Sequence, residues 1–202
     1  VFEMERAFDR LNTRLGLSNK QLMDFKKNLG RGVAGTGQEL KDILPGVETF
    51  AAKGKVRDAG QLANIGESLG KVRATTGEDI EGVADSVVEI LKNQGKAITD
   101  QSVRSTLDAI QGTRTSGAFK TAGEAADAIQ AITGSISPEQ MKKMGIGTRE
   151  IGGLAAMASS GGDQGQQILQ SILKDATSAG GKDKLNAIFG QNIFKNGKLD
   201  VG

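Results

Sequence analysis

Helix-start residues, apolar stripes and glycine stops alternate along this chain, and the alternation limits it to a succession of short helices. Apolar residues recur at helical spacing between one polar start and the next glycine. Glycine supplies 29 of the 202 residues, whereas proline supplies two. Because the apolar period persists between the glycines, the excess indicates helix C-caps and not disorder. The sequence therefore predicts an all-α fold, an irregular array of short antiparallel helices with Gly/Ser-rich linkers and a short hairpin at the C-terminal end.

Local signals place the first helices and several later ones. Gly16 and Gly30 are predicted to end the first two helices, and Ser18 with Gln21 forms a capping box for the second. Further N-caps are predicted at Asp58, Thr99, Thr121 and Ser137. The last of these is the strongest start signal, because Pro138 follows it at the first helical position.

Two boundaries are predicted in the middle of the chain. Thr36 and Glu39 are expected to form a capping box whose helix stops at or before Pro45, because a proline disfavours the helical conformation of the residue before it. A short helical turn over residues 47–52 should follow. The clearest apolar period predicts a helix over residues 76–93.

Charge and residue types exclude several classes of function. The chain has 26 basic and 24 acidic residues, so no large field would draw it to nucleic acid or to an anionic membrane. It has neither histidine nor cysteine, which excludes Ser–His–Asp and Cys–His nucleophiles, disulfides and histidine or thiolate metal sites. Seven phenylalanines, without tryptophan or tyrosine, leave few stacking platforms for sugars or bases. The core should therefore consist mainly of Leu, Ile, Val and Ala.

Residues 30–35, with the sequence GRGVAG, match the G-x-G-x-x-G pattern of nucleotide-binding loops. A dinucleotide-binding loop follows a strand, whereas a predicted helix precedes this one, so we interpret it as a flexible interhelical linker. The nearby cations Lys26, Lys27 and Arg31 are too few for a nucleic-acid footprint and fit a solvated helix end.

Glu78, Asp79 and Glu81 form the densest acidic group. Paired carboxylates could serve a glycoside hydrolase, but a position in the first helical turn explains these acids by capping and by the helix dipole. We therefore predict no catalytic residue, no cofactor-binding residue and no metal ligand, and no cofactor.

Residues 144–173 predict two short helices separated by a Ser/Gly break. A polar turn at residues 148–150 leads into the run IGGLAAMA, and Asp163 can cap the second helix, which ends at residues 172–173. This order of features resembles the conserved helical region of phage tail tape measure proteins. The rhythm of short helices with polar starts extends the resemblance over residues 15–173.

The resemblance implies a structural virion component and not an enzyme. Such a protein sets tail length during assembly and leaves through the tail tip at infection. Its partners would be other copies of itself in a trimer, tail tube and tail tip proteins, and tail assembly chaperones, with no small-molecule substrate and no direct nucleic-acid binding. It would be assembled in the host cytoplasm, reside in the virion tail and meet a membrane only during ejection.

The predicted organisation is a helical domain over residues 1–190, with an alternative subdivision near residue 73. Residues 191–202 would form an exit segment or hairpin leading to the rest of a longer chain. Two other classes of function stay open: a peptidoglycan-degrading domain of a phage or bacterial protein, and a free-standing helical adaptor.

Overall fold

The computed structural model describes residues 2–159, 194–195 and 198–199. These residues form nine α-helices and one pair of short strands, which confirms the predicted all-α fold. The helices are α1 (Phe2–Leu15), α2 (Asn19–Ala34), α3 (Leu40–Ala52), α4 (Ala59–Thr76), α5 (Ile80–Asn93), α6 (Asp100–Thr115), α7 (Ala122–Thr133), α8 (Pro138–Met144) and α9 (Thr148–Ser159).

The two strands lie where the sequence predicts a hairpin. β1 (Phe194–Lys195) and β2 (Lys198–Leu199) pair in the antiparallel direction, with Phe194 opposite Leu199 and Lys195 opposite Lys198. Strands of two residues are too short to define a sheet layer, so helix packing decides the fold.

The chain divides into two compact units. Unit 1 comprises Val1–Leu91 and Ala97–Leu107, and unit 2 comprises Lys92–Lys96 and the described residues from Asp108 onward. The alternative subdivision near residue 73 would fall inside α4, which contains Arg73. The domain limits at residues 190 and 191 fall outside the described residues and stay predictions.

The core of unit 1 is formed by α2, α3 and α4, with α1 packed on α3. Its centre is aliphatic, as the scarcity of aromatic residues predicts, and Phe50 is its largest fully buried side chain. Phe8 of α1 meets Phe25 of α2 edge to face, with ring centroids 6.0 Å apart. Other fully buried side chains of unit 1 include Leu29, Ile43, Leu62, Ile65, Leu69 and Ile80.

Glycines inside the helices allow this core to pack closely. A Cβ added at Gly66 of α4 would overlap Leu29 Cδ1 and lie 3.3 Å from Val47 Cγ2. A Cβ added at Gly46 of α3 would lie 2.8 Å from Leu69 Cδ1. Glycine is a poor helix former, so its presence at these positions is explained by the approach of the neighbouring side chains.

The predicted helix starts at Ser18, Asp58, Thr121 and Ser137 are confirmed. Ser18 and Ser137 each form a complete capping box with the glutamine three residues later. Asp58 accepts a hydrogen bond from the backbone N–H of Gln61, and Thr121 accepts one from the N–H of Glu124. The Thr99 hydroxyl likewise accepts from the N–H of Ser102 at the start of α6. Local side chains therefore determine where these helices begin.

The predicted helix stop before Pro45 is wrong, because α3 continues through this proline to Ala52. A proline inside a helix costs roughly 3 kcal/mol. Burying one large apolar side chain contributes about 1.5–3 kcal/mol, and several on both sides of Pro45 are buried: Ile43, Leu44, Val47 and Phe50. The carbonyl that loses its helical donor at Pro45 is that of Lys41, and Lys41 is an exposed residue. Tertiary burial therefore outweighs the local helix-breaking effect.

The predicted capping box at Thr36 and Glu39 is also wrong. The Thr36 hydroxyl donates to the carbonyl of Val33, at the end of α2, over 2.6 Å. Glu39 occupies the N-cap of α3 without a side-chain capping bond. Thr36 therefore closes the preceding helix and does not open the next one.

The helix predicted over residues 76–93 exists, but its start lies four residues later, at Ile80. Thr76 is the last residue of α4, where its hydroxyl donates to the carbonyl of Val72 and accepts from the N–H of Glu78. Gly77 then takes a left-handed conformation with φ of +68° and ends α4. A threonine suits either end of a helix, and the glycine that follows it decides which end it occupies.

In unit 2, α9 packs against α7. Ile151, Leu154 and Ala155 of α9 are fully buried, as their helical spacing predicts. A Cβ added at Gly152 would overlap the Thr113 hydroxyl of α6. The second helix predicted in the region of residues 144–173 lies outside the described residues.

We expect the substitution Gly66→Ala to destabilise the protein. Overpacking costs about 1–3 kcal/mol, which exceeds the roughly 1 kcal/mol that alanine gains over glycine in a helix. Gly82→Ala is the matched control, because no described atom lies within 4 Å of a Cβ placed at this exposed position of α5. Chemical denaturation should show that Gly66→Ala lowers the free energy of unfolding and that Gly82→Ala raises it by about 0.5–1 kcal/mol. Equal gains for both would contradict close packing at Gly66.

We expect Ala155→Phe to lower the free energy of unfolding by about 1–3 kcal/mol, because a ring cannot enter this fully buried position without displacing its neighbours. Ala131→Phe is the control, because Ala131 is exposed on α7. Its effect should stay within about 0.5 kcal/mol. If thermal unfolding showed no loss of stability for Ala155→Phe, a tightly packed α9 would be excluded.

Candidate functional site

The acidic residues Glu78, Asp79 and Glu81 lie at the start of α5, where they complete local structure. The Asp79 carboxylate accepts a hydrogen bond of 3.0 Å from the backbone N–H of Glu81. Arg73 donates to the backbone carbonyl of Glu78 over 2.8 Å. The described residues contain no group of three or more acidic side chains that could hold a metal ion. Asp79 therefore caps the start of α5, whereas Glu81 lies in its first turn and Glu78 precedes the helix, outside the first turn where the sequence placed it.

The outer face of α5 carries a line of acids, Glu81, Asp85 and Glu89, which recur every four residues. Lys53, just after α3, pairs with Asp85 across 2.5 Å. The pKa of Lys53 is raised, first by the hydrogen bond and charge of Asp85 and further by the charges of Glu89 and Glu81. Three carboxylates thus act on one cation, and we call these acids with the exposed Gly82 the α5 acidic face.

The outer face of α2 has the opposite charge. Lys20, Lys27 and Arg31 lie in one line, separated by seven and then four residues, and all three are exposed. Within the described part of the chain, none of them lies within 4.0 Å of a carboxylate oxygen. Met23, beside this line, is 70% exposed. We call Lys20, Met23, Lys27 and Arg31 the α2 basic face.

Residues 30–35 do not form the flexible linker that we predicted, because α2 continues to Ala34. Val33 is fully buried and fixes the last turn of the helix to the core of unit 1. Gly35 has right-handed helical angles, and its N–H donates to the carbonyl of Arg31. A nucleotide-binding loop presents its N–H groups to a phosphate, whereas residues 30–34 lie within the α2 helix.

A groove of about 350 Å³ lies between α1 and α3 in unit 1. Arg10 spans it with two hydrogen bonds of 2.9 Å to the carboxylate of Glu48. Glu48 raises the pKa of Arg10 through this bond and its charge. A glycosidase needs two carboxylates that act on the substrate, whereas both carboxylate oxygens of Glu48 accept hydrogen bonds from the Arg10 guanidinium. The apolar part of the lining comprises Met4, Ala7, Leu44 and Pro45.

Sequence reasoning missed a polar pair in unit 2. The side-chain amide nitrogen of Gln94 donates to the Thr148 hydroxyl over 2.8 Å, and that hydroxyl donates to the side-chain amide oxygen of Gln94 over 3.1 Å. Thr148 is buried at the start of α9. The two residues are 54 positions apart, so no local spacing could reveal the pair. Among the described residues, every buried polar side-chain atom has a hydrogen-bond partner.

Met141 of α8 is 4% exposed and belongs to the core. The Lys26 ammonium lies 5.1 Å from the centre of the Phe8 ring, so this cation also belongs to the contact between α1 and α2. None of the described helices is long and apolar enough to cross a membrane.

We expect Asp85→Asn to lower the pKa of Lys53, because Asp85 is the largest cause of its increase. Glu89→Gln, which removes a more distant charge, should lower it less. Side-chain NMR of the lysine as a function of pH measures both shifts. The raised pKa also means that the pair stabilises the fold below about pH 10 and that this contribution disappears as the pH rises through the pKa of Lys53. A larger shift in Glu89→Gln would contradict the geometry.

No protein-family model, no curated protein and no solved structure matches this chain.

Proposed function

We propose that this chain is a structural segment of a phage, or phage-like, tail tape measure protein. The complete protein sets tail length during assembly and is released through the tail tip at infection. This segment contributes a compact helical region, distinct from the long coiled rod that measures the tail.

The packing of α9 is the observation that carries the proposal. Residues 151–158 are the centre of the resemblance, and they belong to α9, which packs against α7. Gly152 leaves room for the Thr113 hydroxyl, and Ala155 is fully buried. Small residues at such contacts favour close helix packing and leave little space for a substrate. Both properties suit a structural component.

The proposed partners follow from the same role. They are other copies of the chain, in a trimer, together with tail tube proteins, tail tip proteins and tail assembly chaperones. The segment is placed in the virion tail after assembly in the host cytoplasm, and it contacts a membrane only during ejection.

Passage through a narrow tube requires the segment to unfold or stretch. Its helices are short, and several end at glycines with left-handed angles, including Gly16, Gly77 and Gly145. Short helices that depend on tertiary contacts are only marginally stable by themselves, so their local opening requires little free energy. This property suits a protein that must leave through the tail tip.

The test is to locate the chain in purified virions. We expect mass spectrometry to detect its peptides in isolated tails and not in tailless heads, and an antibody against it to label tails in electron micrographs. After ejection is triggered in vitro, the peptides should be lost from the tails, whereas the tube protein stays and serves as the control. Detection only in heads, only outside virions, or in tails after ejection would overturn the proposal.

The purified chain tests the enzymatic alternative. Purified chain that released soluble fragments from peptidoglycan, and lost this activity in Glu81→Gln, would favour a wall hydrolase. A monomeric and inert chain that is absent from virions would favour the free-standing adaptor.

A further inference from the structure

We propose that the α2 basic face is the docking surface for an acidic amphipathic helix of another protein. The partner helix carries acidic side chains that pair with Lys20, Lys27 and Arg31, and one apolar side chain that covers Met23. The assignment rests on the charge and exposure of α2 and holds whether or not the chain belongs to a phage tail.

The three cations form one line on the side of α2 that faces away from the core. Lys20, Lys27 and Arg31 follow one another at intervals of seven and four residues. These intervals are close to whole helical turns, so the side chains project from one side of the helix over about 16 Å. Phe25 and Leu29 are buried on the opposite side. The packing of α2 in unit 1 therefore fixes the direction in which the cations point.

These cations have no carboxylate partner, unlike several other cations of unit 1. The cations of this unit that form an ion pair are Arg10, Lys41, Lys53, Lys71 and Arg73. No described carboxylate lies at ion-pair distance from Lys20, Lys27 or Arg31, and this includes Asp24, which lies between them in the sequence. The α2 basic face therefore keeps an excess of positive charge.

The alignment of three unpaired cations distinguishes α2 from the rest of unit 1. Arg14, Lys55 and Arg104 also lack a described ion-pair partner. They lie singly, on α1, in the loop after α3 and on α6. A single exposed cation fits a solvated surface, whereas three in line present a surface that one partner helix can follow.

Met23 gives the α2 basic face an apolar centre. It is 70% exposed and lies four residues before Lys27, on the same side of the helix. Among the described residues, Phe2 is the other large hydrophobic side chain with this exposure, and the Arg6 guanidinium lies 4.9 Å from the centre of its ring. A methionine adapts its shape to an apolar partner. The partner should therefore place an apolar side chain beside its acids.

The same features argue against nucleic acid and against a membrane as the occupant. Proteins that bind duplex DNA tightly neutralise about six to ten phosphates, whereas this face has three cations with Asp24 among them. A helix that lies on a membrane buries a broad apolar face in the lipid. The apolar face of α2 is already buried in unit 1, which leaves Met23 alone on the outer side.

The spacing of the face defines the register of the partner. In an antiparallel pair, acids at positions i, i+4 and i+11 of the partner helix meet Arg31, Lys27 and Lys20, and an apolar residue at i+8 meets Met23. No stretch of this chain carries acids at i, i+4 and i+11. The antiparallel register therefore selects another protein and not a second copy.

A parallel pair requires acids at i, i+7 and i+11 and an apolar residue at i+3. Within this chain, only Glu78, Asp85 and Glu89 have that spacing of acids. Glu78 precedes α5, and the position that would meet Met23 is occupied by Glu81. The parallel register therefore does not fit a second copy either.

A synthetic alanine-rich peptide with glutamates at i, i+4 and i+11 and a leucine at i+8 is the probe. Fluorescence anisotropy at low salt measures its binding to the full chain. The control peptide has the same composition, but its glutamates are moved two positions along the helix, which turns them away from the leucine. The control should bind at least about tenfold more weakly, because its acids and its leucine no longer share a face.

Charge exchange tests the register. Lys27→Glu with Arg31→Glu should weaken binding of the glutamate peptide at least about tenfold and strengthen binding of a peptide with lysines at i and i+4. Met23→Ser should weaken binding of the glutamate peptide at least about threefold, whereas Met23→Leu should preserve it.

A matched control separates this contact from net charge. Lys55→Glu with Arg104→Glu changes the net charge by the same amount at exposed positions outside α2. This variant should bind the glutamate peptide within about twofold of the unmodified chain. Circular dichroism establishes that each variant is helical.

Three results would overturn the assignment. The glutamate peptide could fail to bind at low salt, it could bind no more tightly than the control peptide, or the control variant could lose as much affinity as the α2 variant. If the chain bound duplex DNA or anionic vesicles, the α2 variant alone lost that binding, and the glutamate peptide did not compete for it, the face would belong to that other partner.

Discussion

The close approach of helices at glycine positions is the contact on which the rest of the structure depends. Leu29 packs against Gly66 of α4, Leu69 packs against Gly46 of α3, and the Thr113 hydroxyl lies against Gly152 of α9. Aromatic side chains are few, so the core cannot be filled by large rings and is filled by bringing backbones nearer to one another. The loss of helix propensity at each glycine is offset by the dispersion contacts that the shorter distance allows.

This way of packing also explains what the molecule offers to a partner. Among the described residues, small residues let the helices approach one another closely, and the groove between α1 and α3 is crossed by the ion pair of Arg10 and Glu48. The chemical character of unit 1 lies instead on its outer surface, where α2 presents cations and α5 presents acids. Such a chain is suited to contacts between surfaces, which agrees with the proposed role as a structural segment and with association between copies.

The acids at the start of α5 and along its outer face serve two levels of structure. Asp79 caps the start of α5 by accepting the N–H of Glu81, and the acids further along the helix hold Lys53 and give the helix its negative face. A capping role and a surface role do not compete, because the first uses backbone N–H groups at the helix end and the second uses the side chains that point to solvent. The acidic group therefore needs no catalytic explanation.

The sequence by itself determined the helices and many of their ends, because caps such as Ser18, Asp58 and Ser137 act within three residues and Gly16 stops a helix through its own angles. It also indicated the local role of the acids at the start of α5. Only the tertiary structure decided that α3 continues through Pro45 and α2 through Gly30, because burial of Phe50 and Val33 outweighs the local signals. The pair of Gln94 and Thr148 likewise joins residues 54 positions apart, so only the folded chain brings them together.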